Sequence, residues 1–214
     1  FVHSALTQGA LNVLMAHHSS RETLLSNAKS AQLLVSPVRQ KQFIVIRDYT
    51  SKLEQNAETH ELWGELQSEA DHELNKETKT ILRELIDTVR IGRYTLGVNE
   101  DHRAVSEIQD LLRNLGLFEI SRKVLGLMDS VEADEETGEL GEVSLNTQEI
   151  GLLCNELLYW CVLGNEANQT LMYEDLSFFL DTLDDGIKSH KVIKAIFSGN
   201  ETLMKIVPHT LLED

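Results

Sequence analysis

The 214 residues carry 35 acidic against 19 basic side chains, a formal charge of −16, and 42% of them are hydrophobic. That hydrophobic share describes a globular chain long enough to bury its own core, while the net charge repels nucleic-acid phosphates and anionic membrane faces and argues against both as partners. With only 2 Pro and 12 Gly as punctuation, and with apolar runs rich in Leu rather than alternating β-branched residues, the chain reads as all-α.

The chain opens on Phe1 without an initiator Met and stops at Leu212-Glu213-Asp214, which suggests a piece of something larger. Val2, Leu6, Ala10, Val13 and Leu14 make a first helix face that ends near His17 and His18. Ser19 stands three residues before Glu22, the spacing at which a hydroxyl and a carboxylate satisfy each other's helix-end N–H groups. A second helix follows, with Leu24, Ala28, Ala31 and Val35 on its buried stripe. Pro37 cannot continue a helix but fits a first turn, so a third helix is expected from about Val38 to Ala57, carried by Phe43, Ile46, Tyr49 and Leu53. Residues 66–79 are polar, with Leu74 their only large apolar residue after Leu66. They are expected as a connection or a frayed helix start, joining sub-bundles 1–65 and 80–214 of a single domain, 1–214.

Ile81, Leu82, Leu85, Ile86 and Val89 form a strong helix face that Gly92 and Gly97 terminate. Val105, Ile108, Leu112 and Leu115 form the next, stopped by Gly116, and Leu117, Ile120, Val124 and Met128 a third. From Asp129 to Glu142 the sequence is acidic and unpatterned, as an exposed loop would be. The clearest unit lies beyond it. Ile150, Leu153, Cys154, Leu157, Leu158 and Cys161 share one helix face, and Met172, Leu176, Phe179, Leu180 and Leu183 share another. Between them Gly164 suits a left-handed helix end, and Asn165 or Asn168 can accept from the free N–H groups that start the next helix. Val192, Ile193, Ile196 and Phe197 then lead to a last helix starting near Asn200 and disrupted at Pro208.

Gly164-Asn165-Glu166 recurs as Gly199-Asn200-Glu201, a step of 199 − 164 = 35 residues. This is roughly the length of a helical-pair repeat. With about ten successive amphipathic helices and short turns, it favours an α-solenoid of the armadillo or HEAT kind over a closed bundle.

Chemistry-bearing constellations are sparse. The eight His include no HExxH, and adjacent His17 and His18 point to different sides of a helix. Glu132, Asp134 and Glu136 alternate like calcium ligands, but Thr137 stands where the loop needs its sixth-position Gly, and Gly138 comes one place late. A nucleophile elbow, a phosphate-cradling Gly-rich loop and paired carboxylates on one face are all missing. No enzyme, cofactor, metal or small-molecule ligand is therefore expected. Cys154 and Cys161 lie two helical turns apart, roughly 10 Å at 1.5 Å per residue, too far for a disulfide. Both are expected as reduced core residues. Asn165, Asn168 and Gln169 are expected to cap helix ends and tie one hairpin to the next, in preference to contacting a partner.

The stretch Cys161 to Leu180, CVLGNEANQTLMYEDLSFFL, resembles the signature of the RIH domain, the homology region of inositol trisphosphate receptors and ryanodine receptors. Cys161, Gly164, Asn165, Asn168, Gln169, Leu171, Phe179 and Leu180 occupy the family's motif positions, while Glu174-Asp175 stands where the family often carries a His. Asp110 to Leu127 is similar to the receptors' helix junction upstream of this hairpin. Gly9 to Ser36 and Glu61-Leu62-Trp63 are similar to earlier blocks, and these blocks, with Asp110 to Leu127, resemble inositol trisphosphate receptors more than ryanodine receptors. The short stretch between Trp63 and Ile81 departs from the long, modifiable insertion of animal receptors, and the acidic chain has no counterpart of the basic ligand cleft or the pore.

The resemblance implies a cytosolic armadillo-like segment of a homotetrameric calcium-release channel of the endoplasmic reticulum. It would couple ligand binding in the N-terminal region to gating, with other domains and subunits of that channel as partners. An autonomous solenoid scaffold holding a peptide or basic partner is the alternative, and a calcium sensor built on residues 129–142 a third.

Overall fold

A computed structural model describes residues 37–59, 68–90, 106–126 and 142–207. The expected helices of residues 2–35, the Glu61-Leu62-Trp63 block, Gly92, Gly97, Val105, Met128, the acidic loop up to residue 141 and Pro208 lie outside them. By internal contacts the chain divides into two compact units, Phe1–Gln40 and Lys41–Asp214. The second is an armadillo-like α-solenoid.

The elements among the described residues are helices. They are α1 (Pro37–Glu58), α2 (Glu69–Val89), α3 (Ser106–Asn114), α4 (Leu117–Gly126), α5 (Glu142–Val162), α6 (Glu166–Tyr173), α7 (Leu176–Asp181), α8 (Ser189–Phe197) and α9 (Glu201–Ile206). Pro37 opens α1 because its missing N–H would be unpaired there in any case. Ile46, Leu53 and Ala57 of α1 are buried, and the Thr50 hydroxyl between them donates to the Ile46 carbonyl at 2.8 Å.

The polar run expected as a connection is helical from Glu69 onward. Ser68 and Asp71 form a reciprocal cap: the Asp71 N–H donates to Ser68 Oγ at 3.2 Å, and the Ser68 N–H to Asp71 Oδ2 at 2.7 Å. Two helix-end donors are thereby satisfied, so polar residues can start the helix. Asn75, Thr78 and Lys79 in this run are buried. Asn56 Nδ2 of α1 donates to Thr78 Oγ1 at 3.0 Å, which offsets the desolvation that a lone hydroxyl would suffer.

Three tiers follow, α2–α4, α5–α7 and α8–α9. The central α5 packs against α2 on one side and α8 on the other, and also touches α3, α4 and α6. Ile150, Cys154, Leu157, Leu158 and Cys161 of α5 are at most 1% exposed and meet the stripes Ile81, Leu82, Leu85, Ile86, Val89 and Val192, Ala195, Ile196 in one hydrophobic cluster. Lys79 crosses from α2 to donate to Asn146 and, at 2.6 Å, to Glu149 of α5. Arg83 meets the other carboxylate oxygen of Glu149 at 2.5 Å.

The single helix expected after Gly164 is two. α6 ends at Tyr173 and α7 restarts at Leu176, with Asp175 turned towards Arg122 at 2.7 Å. Met172, Leu176 and Phe179 stay buried through the bend while Leu183 is 40% exposed. A stripe that keeps its 3–4 residue spacing across a turn hides the turn from periodicity.

Candidate functional site

Gly164 and Gly199 end α5 and α8 with φ of +72° and +75°, the left-handed region that a Cβ disfavours. Each is followed by an Asn that caps the next helix. Asn165 Oδ1 accepts from the Asn168 N–H at 3.1 Å, and Asn200 Oδ1 from the Leu203 N–H at 3.1 Å. Asn165 is thus the cap. Asn168, fully buried, instead donates through Nδ2 to the Cys161 carbonyl at 2.7 Å and accepts Arg113 of α3 at 2.6 Å.

Both turns are gripped by a buried glutamine from the tier before. Gln109 of α3, 1% exposed, donates Nε2 to the carbonyls of Trp160 (2.8 Å) and Leu163 (3.0 Å) at the end of α5. Its Oε1 accepts Asn165 Nδ2 at 3.4 Å. Gln169 of α6, 1% exposed, donates Nε2 to Ala195 and Ser198 carbonyls, each at 2.9 Å, at the end of α8. Its Oε1 accepts Asn200 Nδ2 at 3.0 Å. The last carbonyls of a helix have no partner within it, and here a side-chain amide from the neighbouring tier supplies one. The acceptors step by 195 − 160 = 35 and 198 − 163 = 35, and the caps by 200 − 165 = 35, so the clamped carbonyls and the caps follow the sequence repeat, while the glutamines that reach them stand 169 − 109 = 60 apart. At the place on α9 corresponding to Gln169, 169 + 35 = 204, stands Met204, 55% exposed.

Of the motif residues, Cys161 and Phe179 belong to the core, Leu180 packs at its edge, and Leu171 is 42% exposed. Gly164, Asn165, Asn168 and Gln169 converge on the two junctions. Gln109 was not legible beforehand: a Gln between Ile108 and Asp110 looks like any exposed helical residue, and its partners lie more than 50 positions downstream. Cys154 and Cys161 are unpaired thiols. Burial pushes the Cys154 thiol up to about 12, against the small opposing effect of its contact with the Ser121 carbonyl, and burial raises Cys161 as well.

Among the described residues, no group of three or more His, Cys, Asp or Glu could hold a metal ion, and no helix is long and apolar enough to cross a membrane. What the arrangement does chemically is to fix helix ends to helix ends. Stacked helical tiers whose junctions are held by buried amides define an armadillo-type structural segment. The family model of the RIH domain matches residues 79–213, well over half of the chain. The chain belongs to the RIH-domain family, the region of inositol trisphosphate and ryanodine receptors.

Proposed function

We propose that the chain is a cytosolic armadillo-like segment of an inositol trisphosphate receptor-like calcium-release channel, relaying ligand-induced movement from the channel's N-terminal region to a tetrameric pore in the endoplasmic reticulum. The observation that carries this reading is the recurrence of one clamp at two successive junctions, Gln109 on the end of α5 and Gln169 on the end of α8. In a solenoid each repeat contacts mainly its neighbours, so a rotation imposed on one tier reaches the next only through their interface. Junctions tied by directional hydrogen bonds pass on rotation that a purely greasy contact would absorb. The blocks Gly9 to Ser36 and Asp110 to Leu127 favour the inositol trisphosphate receptor branch.

The test is the parent channel with residues Phe1 to Asp214 removed, assayed for assembly, ligand binding and ligand-evoked calcium release. Channels that assemble and bind ligand but no longer open are the expected result. Normal opening would overturn the reading.

A further inference from the structure

A line of bonded residues runs from one clamp to the other. Gln109 Oε1 accepts Asn165 Nδ2, and Asn165 Oδ1 caps α6 through the Asn168 N–H. One turn into α6 stands Gln169, whose Oε1 accepts Asn200 Nδ2, and Asn200 Oδ1 caps α9 through the Leu203 N–H. From α3 to α9 the order is thus clamp, cap, helix, clamp, cap.

We propose that this alternating Gln–Asn chain is a coupling device, in which Gln109 and Asn165 act as positioning residues for the α8–α9 junction one tier beyond their own contacts. The physical reason is geometric. Gln169 reaches the carbonyls of Ala195 and Ser198 only while the first turn of α6 is held in register, and that turn begins at the cap which Gln109, with Asp110 beside it on α3, orients. Three hydrogen bonds meet at each glutamine amide inside the core, where such bonds are directional and costly to leave half-made. A small displacement at one junction therefore moves the donor of the next. The inference deepens the relay reading, yet it is tested on the chain alone, so a channel that fails to open and a junction that fails to couple are separate results.

The experiment is residue-resolved amide hydrogen exchange on the full chain, read at Leu203, whose N–H is held by Asn200. Asn165→Ser keeps an oxygen for the α6 cap and removes the Nδ2 links to α3, to Gln109 and, at 3.0 Å, to Asp110. Gln109→Met removes the first clamp while keeping its length. Both should speed exchange at Leu203 at least about threefold through local opening of α9, while Leu53 in α1 stays at its original rate. Met204→Ala, on α9 but outside the chain of contacts, should leave Leu203 unchanged. If Gln109→Met proves too unstable to measure, Asn165→Ser decides alone. Faster exchange confined to Asn168, or no change at either amide, overturns the proposal and leaves the two clamps as separate struts.

Discussion

Asn200 donates to Gln169 across the second tier junction at 3.0 Å, as Asn165 donates to Gln109 across the first at 3.4 Å. The same two side-chain types meet in the same roles: the asparagines and the backbone carbonyls recur after 35 residues, the glutamines after 169 − 109 = 60.

Gln169→Leu should therefore be among the more damaging polar substitutions in the chain. It strands the carbonyl of Ser198 and the Nδ2 of Asn200, in a position 1% exposed, and leaves the Ala195 carbonyl only the Ser198 N–H at 3.3 Å. Each buried group left unpaired costs about 1–3 kcal/mol, with partial relief by relaxation and water, so a loss of about 2–4 kcal/mol is expected in urea denaturation. Thr170→Ala, on the exposed side of the same helix, should stay within about 0.5 kcal/mol. Equal losses for the two would deny the clamp its energetic role.

Backbone conformation separates the turns. A Cβ at Gly164 meets nothing within 4 Å, so Gly164→Ala carries only left-handed strain, about 1–2 kcal/mol. At Gly186, φ +73°, the same Cβ would lie 2.6 Å from Gln148 Nε2, and the cost should exceed that at Gly164 unless the Gln148 side chain moves away. Lys188 holds φ 62° with a side chain in place, so Lys188→Gly should stabilise by about 1 kcal/mol. Thermal melts of the three variants order these effects, and a neutral Gly164→Ala would mean that the turn lies elsewhere.

How much of this was legible in the sequence follows from what each residue advertises. The stripe Ile81 to Val89, the stripe Ile150 to Cys161 and the glycine turns announce themselves, because apolar spacing and a left-handed helix end leave local marks. The start of α2 left a mark too, Ser68 three before Asp71, which a search for Ser followed by Glu or Gln passes over. Gln109 left none, since a buried amide is distinguished only by acceptors brought to it by the fold. The bend between α6 and α7 was hidden by a stripe that runs on through Met172, Leu176 and Phe179.

Acid should weaken the contact between the first two tiers. The Glu149 carboxyl is held below its ordinary value first by the hydrogen bond from Lys79, then by the charges of Lys79 and Arg83, with burial opposing them. A carboxylate whose folded value is depressed contributes stability that is complete above its unfolded value, near 4.5, and fades as pH falls through the folded one. Glu149→Gln should thus be less stable than the parent at pH 7, by about 1 kcal/mol for a half-exposed pair, and the gap should narrow as the pH falls from 4.5 through the depressed folded value. Parallel urea titrations stepped from pH 7 down into acid check this, and a gap that did not narrow at all on the way down would place the stabilisation in packing instead of charge.

Thiol chemistry provides the last test, because both cysteines sit in the core beside the clamps. Cys154 and Cys161 are fully buried, with Cys154 pushed up to about 12 and Cys161 also raised by burial. The nucleophile is the thiolate, so at pH 8 neither should react with iodoacetamide or an aromatic disulfide reagent while the chain is folded. Both should react at once in denaturant, and oxidants should form no bond between them, since helix α5 holds them two turns apart. Labelling in native buffer then reports opening of α5. Gln109→Met, which loosens the end of that helix at Trp160 and Leu163, should raise the labelling rate of Cys161 above that of Cys154, because Cys161 lies between the two released carbonyls and Cys154 six residues before the first. Equal acceleration of both thiols would mark global unfolding in place of fraying from the clamped end.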